Sequence, residues 1–200
     1  MLAGKDDFIR IVLDNPIDAT LLDRLPEVGL PDCYVVAGCL FQTIWNDVSG
    51  FPPTHGILDY DVFYFDDTDL NWEAEDVVIR RCAEVFSDLD AQVEVRNQAR
   101  VHLWYPEKYG VPCPPLCSSR DGVDGFLNTS SCFGVRRTLD RDVDVYAPFG
   151  FDDVFAMIVR PNRRREAPAV YHDKAQRWRR TWPELTIIPW ETGHQATSDG

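Results

Sequence analysis

The sequence has little that would tie the chain to a membrane, a metal-stapled module or a nucleic-acid surface. No apolar run approaches the ~20 residues of a transmembrane helix. The longest, Cys33 to Phe41, is the length of a strand and a turn. The opening residues carry Asp6, Asp7 and Arg10 among their apolar neighbours, which no secretory signal does. The expectation is a soluble, cytoplasmic protein with no membrane partner. Internal repeats and low-complexity tracts are absent. The six cysteines, Cys33, Cys39, Cys82, Cys113, Cys117 and Cys132, are expected as free thiols. Cys113 and Cys117 are spaced like half a zinc site, but no second pair completes it. Basic residues are outnumbered, 20 Lys and Arg against 33 Asp and Glu, for a net charge of −13. That argues against strong non-specific nucleic-acid binding, which needs a basic face.

What is present is enough apolar material, 44% of 200 residues, for one core with extensions. The charge is uneven. Residues 160–180 hold eight basic side chains against Glu166 and Asp173, a local +6 that leaves −19 for the rest. Such a segment either pairs with the acidic body or meets a polyanion or nucleotide phosphate. Two helices are predicted up to Leu25, broken at Pro16, with Asp18 capping the second. "CYVVAG" is a strand, and "CLFQTIWNDVS" is a helix stopped by Gly50. A strand over Leu58–Asp66 and a helix beginning near Asn71 follow. "AQVEVRNQARVHLWYP" alternates as one extended piece. Beyond it lie a proline-rich loop, a short helix near Asp121–Leu127 and a strand pair near 132–146. A helix from Phe151 follows, its first turn acidic at Asp152 and Asp153. A last helix carries Tyr171, Ala175, Trp178 and Trp182 on one stripe, and "LTIIPW" closes as a strand. The class is α+β.

Three features carry chemistry. Asp59 and Asp61 in "GILDYDVFYFDD" are two apart in an extended segment, so both project to one face, about 6.5–7 Å apart at Cα. Carboxylates so placed suit a hard divalent cation. The extended piece after the next helix puts Glu94, Arg96, Arg100 and His102 on one parity. If it lies beside the Asp59 strand, Glu94 supplies a third carboxylate. Arg96 or Arg100 then holds a phosphate, and His102 offers a base or a phosphate contact. Finally, Gly38 joins a strand to a helix whose N-terminus suits an anion, with Cys39 and Thr43 in its first turns. Strand–glycine–helix, a D-x-D strand and an acid on a later strand are the parts that phosphoryl or nucleotidyl transfer needs.

The segments "VAGCLFQTIWN", "DYDVFYFD", "EVRNQARVHLWY", "VYAPFGFDDVFAMIVRPN" and "KAQRWRRTWPEL" resemble the bacterial nucleotidyltransferase-like proteins of the DUF925 group, within the polymerase-β-type nucleotidyltransferase superfamily. The resemblance implies a nucleotidyltransferase fold, a mixed sheet flanked by helices. Residues 1–32 would be a helical segment, 33–110 the core, and 111–200 an α+β extension packed on it as a single unit. It implies Gly38 as the turn glycine, Asp59 and Asp61 as ligands of Mg²⁺ or Mn²⁺, and Glu94 as third acid. Cys39 stands where the superfamily usually has Ser or Gly. The implied activity is transfer of a nucleoside monophosphate from a nucleoside triphosphate to a small-molecule, protein or RNA acceptor. The alternatives are a non-catalytic nucleotide-binding regulator and an antitoxin-like interaction protein on the same fold.

Overall fold

A computed structural model describes residues 4–138 and 140–190, apart from the Tyr109 side chain. The ends of the expected N- and C-terminal segments, residues 1–3 and 191–200, lie outside the described residues.

Two helices open the chain, α1 (Lys5–Asp14) and α2 (Pro16–Val28). Their break is set by Asn15, not Asp18. Asn15 Oδ1 accepts from the backbone N–H groups of Ile17 (3.0 Å) and Asp18 (3.4 Å), with Pro16 at the first helical position. Asp18 is turned into the core instead. Strand β1 (Tyr34–Val36) leads into α3 (Gly38–Ser49), which stops at Gly50 in the left-handed conformation. Then come β2 (Tyr60–Tyr64), α4 (Trp72–Val85) and β3 (Val93–Asn97).

The alternating piece does not continue as a strand. Asn97 ends it: its Oδ1 accepts from Ala99 and Asp66 N–H groups, both at 3.1 Å, and its Nδ2 donates to the Asp66 carbonyl at 2.8 Å. A 3₁₀ turn over Gln98–Arg100 and helix α5 (Val101–Tyr109) follow. A period of two over a dozen residues was mimicked by a strand joined to a helix. The rest is α6 (Ser119–Asp124), β4 (Gly134–Arg137), β5 (Val143–Tyr146), the single turn α7 (Asp152–Phe155), β6 (Ile158–Val159), α8 (Pro168–Thr181) and β7 (Thr186–Ile187).

Five strands form a mixed sheet in the order β3-β2-β1-β4-β5; β2 and β3 are parallel and the other pairs antiparallel. Helices flank it, as expected of the fold. On one face Val35, Tyr60, Val62, Tyr64, Val95 and Val135 join the principal core, which runs from Phe8 to Trp190. On the other, Tyr34, Val36, Ala37, Val123 and Cys132 form a smaller cluster beside Phe63 and Phe126. Among the described residues no helix is long and apolar enough to cross a membrane.

The apolar stripe of α8 is buried as its spacing predicts, and it packs on α3. Trp178 meets Phe41 and Trp45 edge-on, at 5.2 and 5.8 Å between ring centroids, and Trp182 meets Trp45 at 5.4 Å. Trp182 Nε1 donates to Asn46 Oδ1 (2.9 Å). The Tyr171 hydroxyl sits between the carbonyls of Val159 (2.9 Å) and Ile188 (2.6 Å), which ties α8 to the small β6–β7 pair. Each such aromatic contributes about 1.5–3 kcal/mol by burial. Together they fix α8 on α3 and the β6–β7 pair.

Candidate active site

Strand β2 sorts its side chains by parity. Tyr60, Val62 and Tyr64 enter the principal core, so Asp61 and Phe63 leave on the opposite face. The parallel register pairs Asp61 with Glu94 and Phe63 with Arg96. Paired residues on adjacent strands share a face at about 4.8 Å strand spacing, so the sheet sets Glu94 beside Asp61. Asp59 lies just before β2. The first turn of α3 closes against it: a side-chain carbon at Gly38 would stand 3.1 Å from Gln42 Nε2 and 3.8 Å from Asp59 Oδ1. A side chain at 38 would press on the end of Gln42 and lie in contact with Asp59. The unusual backbone lies one residue earlier, at Ala37 (φ 55°, ψ −117°), in the region that favours glycine.

Helix α8 completes the cleft. With 171, 175 and 178 turned to α3 and its surroundings, Lys174 and Arg177 fall beside that stripe, over the acids. The cleft has two lobes. One, about 110 Å³, lies between the start of α3, Asp59 and Asp61, and the Lys174–Arg177 edge. The other, about 230 Å³, is lined by Glu94, Arg96, Trp104, Tyr105 and Arg165 among others. Asp61, Phe126, Leu127 and Lys174 belong to both.

Burial, then the neighbouring charges of Asp59 and Glu94, push the Asp61 carboxyl up to about 7, against the opposing pull of Lys174 and Arg96. Lys174 is exposed as a residue, but desolvation of its ammonium over the cleft, then the nearby Arg177, holds it below its usual value, while Asp61 and Asp59 act the other way. Glu94 is held: Oε1 accepts from Gln92 Nε2 (2.8 Å) and Oε2 from Arg96 (3.2 Å). Among the described residues no group of three or more His, Cys, Asp or Glu is gathered as a ready-made metal cage. The hard-oxygen donors of Asp59 and Asp61 still suit a divalent cation, and the raised Asp61 marks negative charge short of a counterion. Those two fit; Glu94 is engaged by Gln92 and Arg96.

The other expected site residues divide. Arg96 lines the larger lobe, and Gly38 the smaller. Cys39 and Thr43 are buried under α3 and face inward. Thr43 Oγ1 accepts from Asn15 Nδ2 (2.8 Å) and lies 3.3 Å from Asp18 Oδ2, to which it donates. Burial pushes the Cys39 thiol well above its ordinary value. Arg100 is withdrawn from the cleft because the chain has left the strand: it ion-pairs with buried Glu75, donates to the Leu70 carbonyl (2.9 Å) and lies over the Trp72 ring. His102 is on α5 and lines neither lobe. The side chains that the strand-by-strand reading missed are Gln42, Lys174, Arg177 and Arg165. The signal for three of them was the basic run 160–180, once its apolar stripe is used to say which residues face the sheet.

A family model described as Nucleotidyltransferase matches residues 23–187. No curated protein matches the sequence. An NMR structure described as revealing a CCA-adding enzyme head domain is similar at 23% identity and a TM-score of 0.75, covering 93% of this chain and 96% of that one. A CCA-adding enzyme in complex with CTP is similar at 12% identity and a TM-score of 0.50, covering 93% of this chain and 43% of that one. At these identities the likeness is one of fold.

Proposed function

The chain belongs to the nucleotidyltransferase family, and on that premise we propose that it transfers a nucleoside monophosphate from a nucleoside triphosphate to an acceptor hydroxyl. One observation carries this reading: Asp59 and Asp61 stand opposite the N-terminus of α3 in a cleft edged by Lys174 and Arg177. The CTP bound by a CCA-adding enzyme of similar fold supports a nucleoside triphosphate as donor.

The smaller lobe suits the triphosphate. The start of α3 offers the positive end of its dipole, Gly38 gives a backbone approach, and Lys174 and Arg177 balance phosphate charge. Asp59 and Asp61 would hold Mg²⁺ or Mn²⁺, with Glu94 as third acid. A cation bound there supplies charge neutralisation at the phosphate being attacked. Attack and departure are in line in such transfers. With pyrophosphate leaving along α3, the acceptor comes from the opposite side, through the lobe that holds Glu94. A carboxylate at the junction, Asp61 or Glu94, takes the acceptor proton. Phe126 and Trp178 keep apolar surface against the reacting groups.

A second reading, nucleotide binding without transfer, is favoured by the Glu94–Arg96 pair, which occupies the third acid. Calorimetric titration of nucleoside triphosphates with and without magnesium, paired with pyrophosphate release, separates the two. Magnesium-dependent binding with turnover, both lost in Asp59→Asn/Asp61→Asn, is the expected result. Binding without turnover against a broad acceptor panel supports the second reading. Binding that survives the double substitution would overturn the site.

A further inference from the structure

Arg165 is placed unlike any other arginine of the described chain. The half-buried or buried arginines Arg24, Arg96, Arg100, Arg120, Arg136 and Arg137 each have a carboxylate within ion-pair distance. Arg165 is half-buried and has none among the described residues. Its guanidinium is nevertheless fixed. One face lies 4.6 Å from the centroid of the Tyr105 ring. It also fills the space beside Gly125, where a side-chain carbon would meet its Nη2 at 2.7 Å and Cζ at 2.8 Å. A planar cation packed against both a ring and a glycine, with no carboxylate partner among the described residues, is preorganised for an oxyanion. It lines the larger lobe, which Asp61 and Glu94 also line. Lys108, over the Trp104 ring at 5.6 Å, adds positive charge to the same lobe.

We propose that this lobe is the acceptor subsite, and that Arg165 selects a small hydroxyl compound bearing an oxyanion, phosphate monoester or carboxylate. The proposal rests on the transfer reading, which directs the acceptor through the Glu94 lobe. The anion anchors on Arg165 and the hydroxyl then points back to the acids. A cavity of about 230 Å³ and a body of net charge −13 suit a small anion held by a few local cations, rather than a polyanion.

The test uses the full chain, saturated with magnesium and a non-hydrolysable triphosphate analogue so that the smaller lobe is filled. Glycerol 3-phosphate, glycerate and glycerol are titrated by calorimetry. Saturable binding of an anion, and not of glycerol, is expected; which anion binds identifies phosphate or carboxylate. Arg165→Met should weaken it by about tenfold or more while analogue binding changes by less than about twofold. Gly125→Ala is the second variant. Gly125 has φ −82°, which alanine adopts freely, and the added carbon displaces the guanidinium without removing its charge. The same loss is expected. Glycerol binding as well as the anions, no anion binding in the wild type, or wild-type anion affinity in both variants overturns the proposal. So does salt-sensitive RNA binding with no response to the small anions. If the wild type binds no triphosphate analogue, the transfer reading fails, and the anion titration of the unliganded protein still decides Arg165 separately.

Discussion

Asp61 and Glu94 stand side by side across the parallel β2–β3 pair, thirty-three residues apart in sequence and one strand spacing apart in the sheet. Burial first, then the neighbouring charges of Asp59 and Glu94, push the Asp61 carboxyl up to about 7.

If Glu94 is the third acid and not merely a partner for Arg96, Glu94→Gln lowers turnover by about a hundredfold or more. Triphosphate affinity should change little, because Glu94 lines the other lobe. Pyrophosphate release and calorimetry on the same preparation check this. Unchanged turnover would leave Glu94 as a salt-bridge residue.

Lys174 bridges both lobes and faces both aspartates. Lys174→Met should weaken triphosphate binding by about tenfold, the scale of a lost charged hydrogen bond. Its effect should shrink as salt is raised, which a titration series at several ionic strengths reads directly.

Asp18 is fully buried, with no hydrogen-bond partner for Oδ1 among the described residues, and burial pushes its carboxyl up to about 7 despite contacts from Cys39 and Thr43. The folded state therefore holds this proton more tightly than the unfolded chain. Its contribution to stability is full below about pH 4 and is lost as pH rises through about 7, with an upper limit near ~4 kcal/mol. Asp18→Asn cannot ionise. The stability difference, variant minus wild type, should grow between pH 4 and 7 and then level off. Urea melts across that range decide it; a flat difference would mean that water or rearrangement solvates Asp18.

Ala37 occupies a positive-φ position, with its methyl buried in the smaller cluster. Relief of strain of about 1–3 kcal/mol outweighs the lost methyl and the added chain entropy, each about 1 kcal/mol or less. Ala37→Gly should raise stability by about 1 kcal/mol in a denaturant melt.

Arg100 neutralises Glu75, whose other oxygen accepts from the Asn97 backbone N–H at 2.8 Å. Arg100→Met strands a buried carboxylate at the end of β3 and should cost about 3–5 kcal/mol. Triphosphate affinity of the folded fraction should stay as it was. A loss of affinity without loss of stability would return Arg100 to the binding site.

Much was legible locally. The D-x-D pair, the glycine at the strand–helix turn and the Tyr171–Trp182 stripe depend on periods and turns set by near neighbours. The nucleotidyltransferase fold was legible as well, because its strand–helix–strand order survives in the sequence. Local signals misled at Asn97, where a side chain bonding to Asp66, thirty-one residues away, ended the strand and carried Arg100 and His102 away from the acids. They misled again at Cys39 and Thr43, because only the packing beneath α3 shows that Thr43 faces Asn15 and Asp18 and that Cys39 faces Asp18.

The sequence by itself determined most of the elements and their apolar faces, since backbone geometry and solvent exclusion act over a turn or a few residues. Tertiary structure alone decided where β3 ends, that Glu94 stands beside Asp61, that α8 brings Lys174 to Asp59 and Asp61, and that Arg165 packs against Tyr105 and Gly125 with no carboxylate partner among the described residues. Those juxtapositions come from strand pairing and from burial of the tryptophan stripe against α3, contacts between residues distant in the chain that no local period encodes.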